Sequence, residues 1–231
     1  MIFIIPCHNT DKTNYITPCI QSILDTQKNI DNILVVDSAS PNKDYIDKVK
    51  KLSSRVGVYK AENKNYDYGG YWHGYNFMRM PEVNAIHCFI HDSTILRRDI
   101  TEDTKINNQL FTPFYWFQDR RNPDKEQEFN WLLGLLEDRG LTLPPDELGV
   151  FGPLFTAQPA FLKALRGLRL NEVKPEGKWQ AVYAGELLWG YAAYNLGIDI
   201  KRCAYHGQLS DPKGEDKVIW KYSGINEVGR T

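Results

Sequence analysis

Four short polar segments carry the side chains best suited to chemistry, and each follows an apolar run. They are His8-Asn9-Thr10, Asp37-Ser38-Ala39-Ser40, Glu62-Asn63 and His91-Asp92-Ser93. Carboxylate, imidazole and amide groups bind polar ligands and metal ions and transfer protons. If the apolar runs are parallel strands, these segments meet at one edge of a sheet, where we expect a ligand site.

The apolar runs are rich in β-branched residues and lie at 2–5, 33–36, 56–59 and 85–90. Such runs, bounded by polar residues, are typical of buried parallel strands. Between the first three runs, residues 15–27 and 43–52 place apolar side chains at helical spacing. The alternation predicts an α/β fold, with a Rossmann-like, mixed but mainly parallel sheet flanked by helices.

The second half of the sequence is less regular. Helices are predicted over 129–137, 158–168 and 184–196, the last one ended by Gly197, and strands over 150–155 and 198–205. No shift in composition marks a domain boundary. We therefore expect a single domain over 1–231, with a polar tail or lid at 207–231.

Composition excludes several classes of function. The 28 basic and 29 acidic residues give a formal net charge of -1, so no overall attraction to nucleic acid or anionic lipid is expected. The apolar opening at 1–6 is too short for a signal peptide or a transmembrane segment. The four cysteines lack the close spacing of a zinc site and are expected to be reduced, buried thiols of a cytoplasmic protein.

Two of the strand ends carry recognisable motifs. IIPCHN at 4–9 resembles the IIPxYN opening of family 2 glycosyltransferases with the GT-A fold, and VVDSAS at 35–40 resembles their VVDDGS. The resemblance implies a GT-A fold, with a nucleotide-binding half at 1–100 and an acceptor-binding half at 101–206. It also implies transfer of a sugar from a nucleotide-diphosphate donor to a hydroxyl group of a glycan or another acceptor.

The resemblance assigns residues to the donor nucleotide. It implies that Pro6, His8 and Asn9 line the nucleotide pocket, and that Asp37 accepts a hydrogen bond from a ring N–H of the base. Uracil, guanine and thymine present such a donor, so a UDP-, GDP- or dTDP-linked sugar is expected. Without the resemblance, Asp37 is equally well explained as a helix N-cap or a loop carboxylate.

Residues 65–72, with the sequence NYDYGGYW, are similar to an N-x-G-x-D-x-G segment in glycosyltransferases of rhamnan-polysaccharide assembly. The similarity implies that Asp67 faces the ribose or the base and that Gly69 lets the backbone approach the donor closely. It also favours a role in polysaccharide biosynthesis. The alternative is an aromatic-rich helix start whose glycines serve packing.

The fourth strand end resembles the D-x-D-type metal motif of the GT-A fold, reduced here to a single carboxylate. The resemblance implies that Asp92 binds a divalent metal, Mn²⁺ or Mg²⁺, which neutralises charge on the leaving diphosphate. His206 is the expected second ligand, with His91 as the alternative imidazole, and an imidazole ligand favours Mn²⁺. His91 is grouped with the donor nucleotide residues. A metal-independent enzyme and a loop position for His206 remain alternatives.

In inverting members of this family, the acceptor proton is taken by the Asp of an E-D pair, which opens a helix that ends in Gly about eleven residues later. Counting back from Gly197 gives Glu186, where only one acid of the pair is present. The resemblance implies that Glu186 is the catalytic base of an inverting transfer. The alternative is that Glu186 only stabilises the start of a helix. Aromatic residues at 114–117 and Trp179 are candidates for stacking on an acceptor sugar.

Other enzymes of related architecture lack their motifs in this sequence. No G-x-G-T-R loop of a sugar-nucleotide pyrophosphorylase follows Ile5, no G-x-G-x-x-G follows a strand, and no nucleophile elbow of a hydrolase is present. One alternative outside the enzymes remains, because the family motifs are incomplete in this sequence. It is a nucleotide-sugar- or carbohydrate-binding protein that kept the fold and has weak or no catalysis.

Overall fold

The computed structural model describes residues 1–8, 14–63, 65–78, 84–102, 104, 110–112, 115–117, 126–150, 154–203, 207–208, 211–212 and 219–221. The first half contains β1 (Ile2–Cys7), α1 (Ile16–Thr26), β2 (Asn32–Ser38), α2 (Tyr45–Leu52), β3 (Val56–Ala61), α3 (Tyr66–Met78), β4 (His87–Ile90) and β5 (Thr94–Leu96). The second half contains β6 (Leu110–Phe111), β7 (Tyr115–Phe117), α4 (Glu126–Asp138), β8 (Leu148–Val150), β9 (Leu154–Ala157), α5 (Pro159–Gly167), α6 (Lys178–Val182), a π-helical turn (Tyr183–Leu188), α7 (Trp189–Asn195), α8 (Ile200–Cys203), β10 (Gly207–Gln208), β11 (Asp211–Pro212) and β12 (Ile219–Lys221).

A six-stranded sheet in the order β3-β2-β1-β4-β9-β6 forms the centre of the molecule. β1, β2, β3 and β4 run parallel, and β9 pairs antiparallel with β4 and β6. The predicted α/β fold, with a mixed, mainly parallel sheet flanked by helices, is confirmed. The chain adds β2 and β3 on one side of β1 and then crosses to β4 on the other side, so the strand order reverses beside β1. That reversal is where such sheets bind ligands.

Side chains of the central strand alternate between two apolar layers, as the pleat of a strand requires. Ile2 and Ile4 of β1 pack with α3 and with helices of the second half, whereas Phe3 and Ile5 pack with α1 and α2. α3 lies very close to the sheet because a Cβ atom at Gly74 would stand only 2.9 Å from Cγ2 of Val36. The sheet is therefore buried on both faces, which explains the continuous apolar runs.

The predicted strand at 198–205 is wrong for the residues that the structure describes, because 200–203 form the short helix α8. The side chain of Asp199 accepts a hydrogen bond from the backbone N–H of Lys201 at 3.0 Å, and its carbonyl accepts from Arg202. These contacts satisfy backbone donors at a helix start and outweigh the strand preference of Ile198 and Ile200.

The predicted strand at 150–155 is also divided. Its two ends belong to β8 and β9, which lie in different sheets, and the residues between them fall outside the described ranges. The described parts of the tail form short strands, with β10 beside β7 and β12 antiparallel to β5. Within the described ranges, no helix is both long and apolar enough to cross a membrane.

Candidate active site

A strand-end cluster, made of Pro6, His8, Asp37 and Asn63, lies at the carboxyl ends of β1, β2 and β3. The pairing of β1 with β2 places Cys7 opposite Asp37, so the ends of the two strands are level. Nδ1 of His8 donates to the carbonyl oxygen of Ser38 at 2.8 Å and ties the two ends together. Three of the predicted donor residues are thus brought to one edge of the sheet, while Asn9 lies outside the described residues.

The carboxylate of Asp37 is held from within the protein. It is 1% exposed, and it accepts hydrogen bonds from the Tyr45 hydroxyl at 2.9 Å and from the Ser40 backbone N–H at 3.2 Å. Both bonds found for this carboxylate within the described ranges end on Oδ1. Asp37 is therefore in part the loop carboxylate of the alternative interpretation.

Asn63 was named from the sequence as part of the third polar segment but was given no role in binding or catalysis. Its amide donates to the Ser38 hydroxyl at 2.9 Å and to the carbonyl oxygen of Tyr66 at 2.7 Å, and its own oxygen accepts from the backbone N–H of Asn65 at 2.9 Å. This buried side chain joins the end of β2 to the start of α3. It therefore fixes where α3 begins.

The glycines at the start of α3 are explained by packing. A Cβ atom at Gly69 would lie 2.7 Å from Cβ of Asn65, and one at Gly70 would lie 2.7 Å from Cβ of Pro6. Both positions are filled by side chains of this protein. The predicted close approach of Gly69 to a donor remains a prediction beside this structural role.

A cavity of about 320 Å³, with a mostly apolar surface, opens next to the strand-end cluster, across the start of α3. Its lining brings together three of the predicted site residues, Asp67, His91 and Glu186. The other lining residues are Tyr66, Tyr68, Tyr71, Lys178, Ala181, Val182 and Gly185. The cavity lies beside the strand reversal, where the topology predicts a ligand site.

Asp67 and His91 contact each other across this cavity. Oδ2 of Asp67 lies 3.2 Å from Nδ1 of His91, and their side chains are 50% and 20% exposed. The ring of His91 also packs edge-on against Tyr71, with 6.1 Å between the ring centroids. The imidazole is therefore oriented from two sides, by a carboxylate from α3 and by an aromatic ring.

Glu186 lies on the π-helical turn rather than on regular α-helix. π-turns widen a helix by one residue per turn and occur frequently at functional sites. The turn is held from behind by β8, because a Cβ atom at Gly149 would lie 3.0 Å from the carbonyl oxygen of Glu186. The helix predicted at 184–196 is thus present, with its first part in a π conformation that periodicity did not show.

Asp92 follows β4 and lies beside two buried thiols. Burial, followed by the negative charge of Asp92, raises the pKa of the Cys7 and Cys19 thiols far above their ordinary values. Both thiols are therefore neutral at physiological pH. The Cys7 thiol also shares a hydrogen bond with the Asp92 carboxylate.

Tyr71 links the acids of the site and was missed from the sequence. Burial raises its pKa well above the ordinary value, and the carboxylates of Asp67, Glu186 and Asp92 add to the shift in that order. The Tyr71 hydroxyl is therefore neutral, and the charges of all three carboxylates act on it. The available signal was its position four residues after Asp67 on a helix, which places both side chains on one face.

Within the described ranges, no three His, Cys, Asp or Glu side chains converge as a ready metal site. His206, the predicted second ligand, falls outside those ranges. The residues present nevertheless fit a hard divalent ion that keeps several waters, because such ions need only one or two carboxylates when a diphosphate supplies further oxygens. Asp92 offers one carboxylate at the end of β4.

The first third of the chain matches a family model, over residues 2–79. That family is glycosyl transferase family 2. The match spans β1 to α3 and so includes the strand-end cluster and Asp67, while Asp92 and Glu186 lie beyond it. It supports a family 2 glycosyltransferase of the GT-A type, a class that generally uses a nucleotide-sugar donor, a glycan acceptor and a divalent metal. No curated protein matches the chain.

Proposed function

We propose that this chain is an inverting, metal-dependent glycosyltransferase that transfers a sugar from a UDP-, GDP- or dTDP-linked donor to a hydroxyl group of a glycan acceptor. The observation that carries the proposal is the cavity beside the strand-end cluster. It places Glu186 next to the start of α3, which Asn63 fixes to the strand-end cluster. A donor at the strand-end cluster and an acceptor in the cavity can therefore meet at the start of α3.

In the proposed reaction, Glu186 is the catalytic base. Its carboxylate accepts the proton of the acceptor hydroxyl while that oxygen forms a bond to the anomeric carbon of the sugar. The bond from this carbon to the diphosphate oxygen breaks, and its electron pair leaves with the nucleoside diphosphate. A displacement of this kind inverts the configuration at the anomeric carbon and requires a base within hydrogen-bond reach of the hydroxyl.

Asp92 and His206 are the proposed ligands of the divalent metal, Mn²⁺ or Mg²⁺. A bound divalent ion supplies positive charge beside the leaving diphosphate. The neutral thiols beside Asp92 add no further negative charge to that position. Asp92 would therefore supply the metal with a hard oxygen ligand, and the two thiols beside it would not compete as charged ligands.

On the donor side, Asp37 is proposed to accept the ring N–H of the base, with Pro6, His8 and Asn9 around the nucleotide. Asp67, Gly69 and His91 complete the predicted donor set. In the structure Asp67 and His91 line the cavity, so we propose that they contact the donor where its sugar meets the acceptor.

We further propose a role in polysaccharide biosynthesis in the cytoplasm, and a relationship to the enzymes of rhamnan assembly. These proposals rest on the similarity of the segment at 65–72, which contains Asn65, Asp67 and Gly69. The cavity agrees with a glycan acceptor, because exposed Tyr66 and the carboxylates of Asp67 and Glu186 are groups that bind sugar rings and hydroxyls.

Nucleotide release from a panel of UDP-, GDP- and dTDP-sugars in the presence of Mn²⁺, with and without simple sugar acceptors, tests the proposal. We expect release from one nucleotide class, its loss on chelation of the metal, and an inverted product. Asp92→Ala is expected to lower kcat by roughly 100-fold or more. Binding of a nucleotide-sugar without any hydrolysis or transfer would instead favour the non-catalytic binding protein.

A further inference from the structure

The buried residues around Asp37 form a hydrogen-bonded arrangement that catalysis as described above does not use. Tyr45, at the start of α2, is 1% exposed and points its hydroxyl group at Oδ1 of Asp37, 2.9 Å away. The Ser40 side chain shares a hydrogen bond with the Tyr45 oxygen, and the Ser40 backbone N–H donates to the same Oδ1. Ser40 is also buried. One carboxylate oxygen is thus held from two directions.

A phenol hydroxyl has a single proton, so it donates to one acceptor at a time. The Tyr45 hydroxyl donates to Oδ1 of Asp37 at 2.9 Å, and the Ser40 side chain shares a hydrogen bond with the same phenol oxygen. With Oδ1 fixed, the plane of the carboxylate and the position of Oδ2 are fixed too. A buried carboxylate that is held in this way presents one oxygen in a set direction, which is what discrimination between base edges requires.

We infer that Tyr45, supported by Ser40, is a positioning residue that fixes Asp37 for recognition of a base with a ring N–H. The inference rests on the proposed function, since it concerns how the donor nucleotide is chosen. It assigns Tyr45 no contact with the donor. Tyr45 acts through Asp37 alone, and its removal should therefore change base preference as well as affinity.

Tyr45 is also connected to Asp92, the proposed metal ligand, through Cys7. Cys7 lies opposite Asp37 in the pairing of β1 with β2, and its thiol neighbours both the Tyr45 hydroxyl and the Asp92 carboxylate. Cys7 therefore lies between Tyr45 and the Asp92 carboxylate. If Tyr45 acted mainly through Asp92, its loss would lower kcat; if it acts through Asp37, its loss raises KM and leaves kcat unchanged.

The test is calorimetric titration of the full chain with UDP, GDP and dTDP in the presence of Mn²⁺, and with CDP and ADP as nucleotides whose bases lack the ring N–H. Tyr45→Phe keeps the ring and removes only the hydroxyl. We expect it to weaken binding of the preferred nucleotide by roughly tenfold, the scale of a hydrogen bond to a charged group, and to weaken CDP and ADP much less. Ser40→Ala should act in the same direction by a smaller factor.

Tyr191→Phe is the matched control, because it removes the hydroxyl of another buried tyrosine, which donates to the carbonyl oxygen of Glu147 at 3.3 Å. It should leave nucleotide binding unchanged. Equal weakening of all five nucleotides by Tyr45→Phe would indicate a purely structural role and overturn the inference. So would unchanged binding, or a fall in kcat at constant KM. Absence of nucleotide binding by the unaltered chain would overturn the proposed function itself.

Discussion

The two parts of the candidate site differ in how firmly the fold holds them. In the strand-end cluster, Asp37 and Asn63 are buried and bonded to neighbours on β2, α2 and α3. In the cavity, the side chain of Asp67 is 50% exposed and Tyr66 is 48% exposed. A nucleotide is recognised by atoms in fixed positions, whereas an acceptor must enter and leave. The difference therefore agrees with a division of labour between donor recognition and transfer.

The largest expected effect is on the cavity side. Replacement of Glu186 by Gln keeps the shape and removes the base, so transfer should fall by roughly 100- to 10,000-fold. Donor affinity should stay within about twofold, because the strand-end cluster is untouched. Single-turnover kinetics and nucleotide titration measure the two quantities. Glu172→Gln, at an exposed glutamate paired with Arg169, is the control and should change neither.

A parallel loss of donor affinity and transfer in Glu186→Gln would mean that the π-helical turn supports the fold of the whole site. The difference between the two parts of the site would then be one of structure and not of chemical role.

The strand-end cluster should show the opposite pattern. Asp37→Ala is expected to raise the KM for the donor by roughly 10- to 100-fold, the cost of a hydrogen bond to a charged group, with little change in kcat. Steady-state kinetics at saturating acceptor measure both. Asp146→Ala removes an exposed aspartate paired with Lys201 and is the control. An unchanged KM would leave Asp37 as a loop carboxylate only.

The sequence predicted the strand-end cluster better than the cavity, for a physical reason. Each apolar run is a buried strand, and parallel strands end at one edge, so the proximity of Pro6, His8 and Asp37 follows from the fold alone. Hydrophobic periodicity is a local signal, and the first half of the chain is built from local β-α-β units. The family match covers the same part of the chain.

The cavity depends on contacts that local patterns do not encode. Tyr71 and Lys178 approach the same space only after α3 and α6 have packed, and the π-helical turn at Glu186 follows from its packing on β8. The wrong strand at 198–205 has a related origin. Its apolar composition favoured a strand, but the hydrogen bond that the Asp199 side chain accepts from the backbone stabilises the start of a helix.

Replacement by Ala should change the free energy of unfolding in opposite directions at two helical glycines, because only one of them packs tightly under the strand-end cluster. Gly74→Ala places a methyl group against Ile4 and Val36 of the sheet and should lower the free energy of unfolding by about 1–3 kcal/mol. Gly134→Ala, in α4, meets no atom within 4 Å and should raise it by about 0.5–1 kcal/mol. Urea unfolding measures both. Equal effects would show that α3 adjusts its distance from the sheet.

The smallest expected effect concerns Tyr66 at the mouth of the cavity, where a stacking role and backbone strain coincide. Tyr66 has a positive φ of 55°, which is unfavourable for a residue with a bulky side chain, whereas Asn tolerates it. Tyr66→Asn should therefore raise stability by up to about 1 kcal/mol. If the ring stacks on the acceptor, the same change should raise the acceptor KM roughly threefold to tenfold, and Tyr66→Phe should not.

Tyr194, 44% exposed in a separate groove, provides the control, and Tyr194→Ala should leave the acceptor KM unchanged. A gain in stability together with an unchanged acceptor KM in Tyr66→Asn would mean that strain is kept for another reason, since Asn63 binds the carbonyl oxygen of residue 66 and fixes its backbone. A gain in stability together with a higher acceptor KM would instead show that the strained backbone at Tyr66 is kept because its exposed ring binds the acceptor. The buried strand-end cluster carries no such strain for ligand binding.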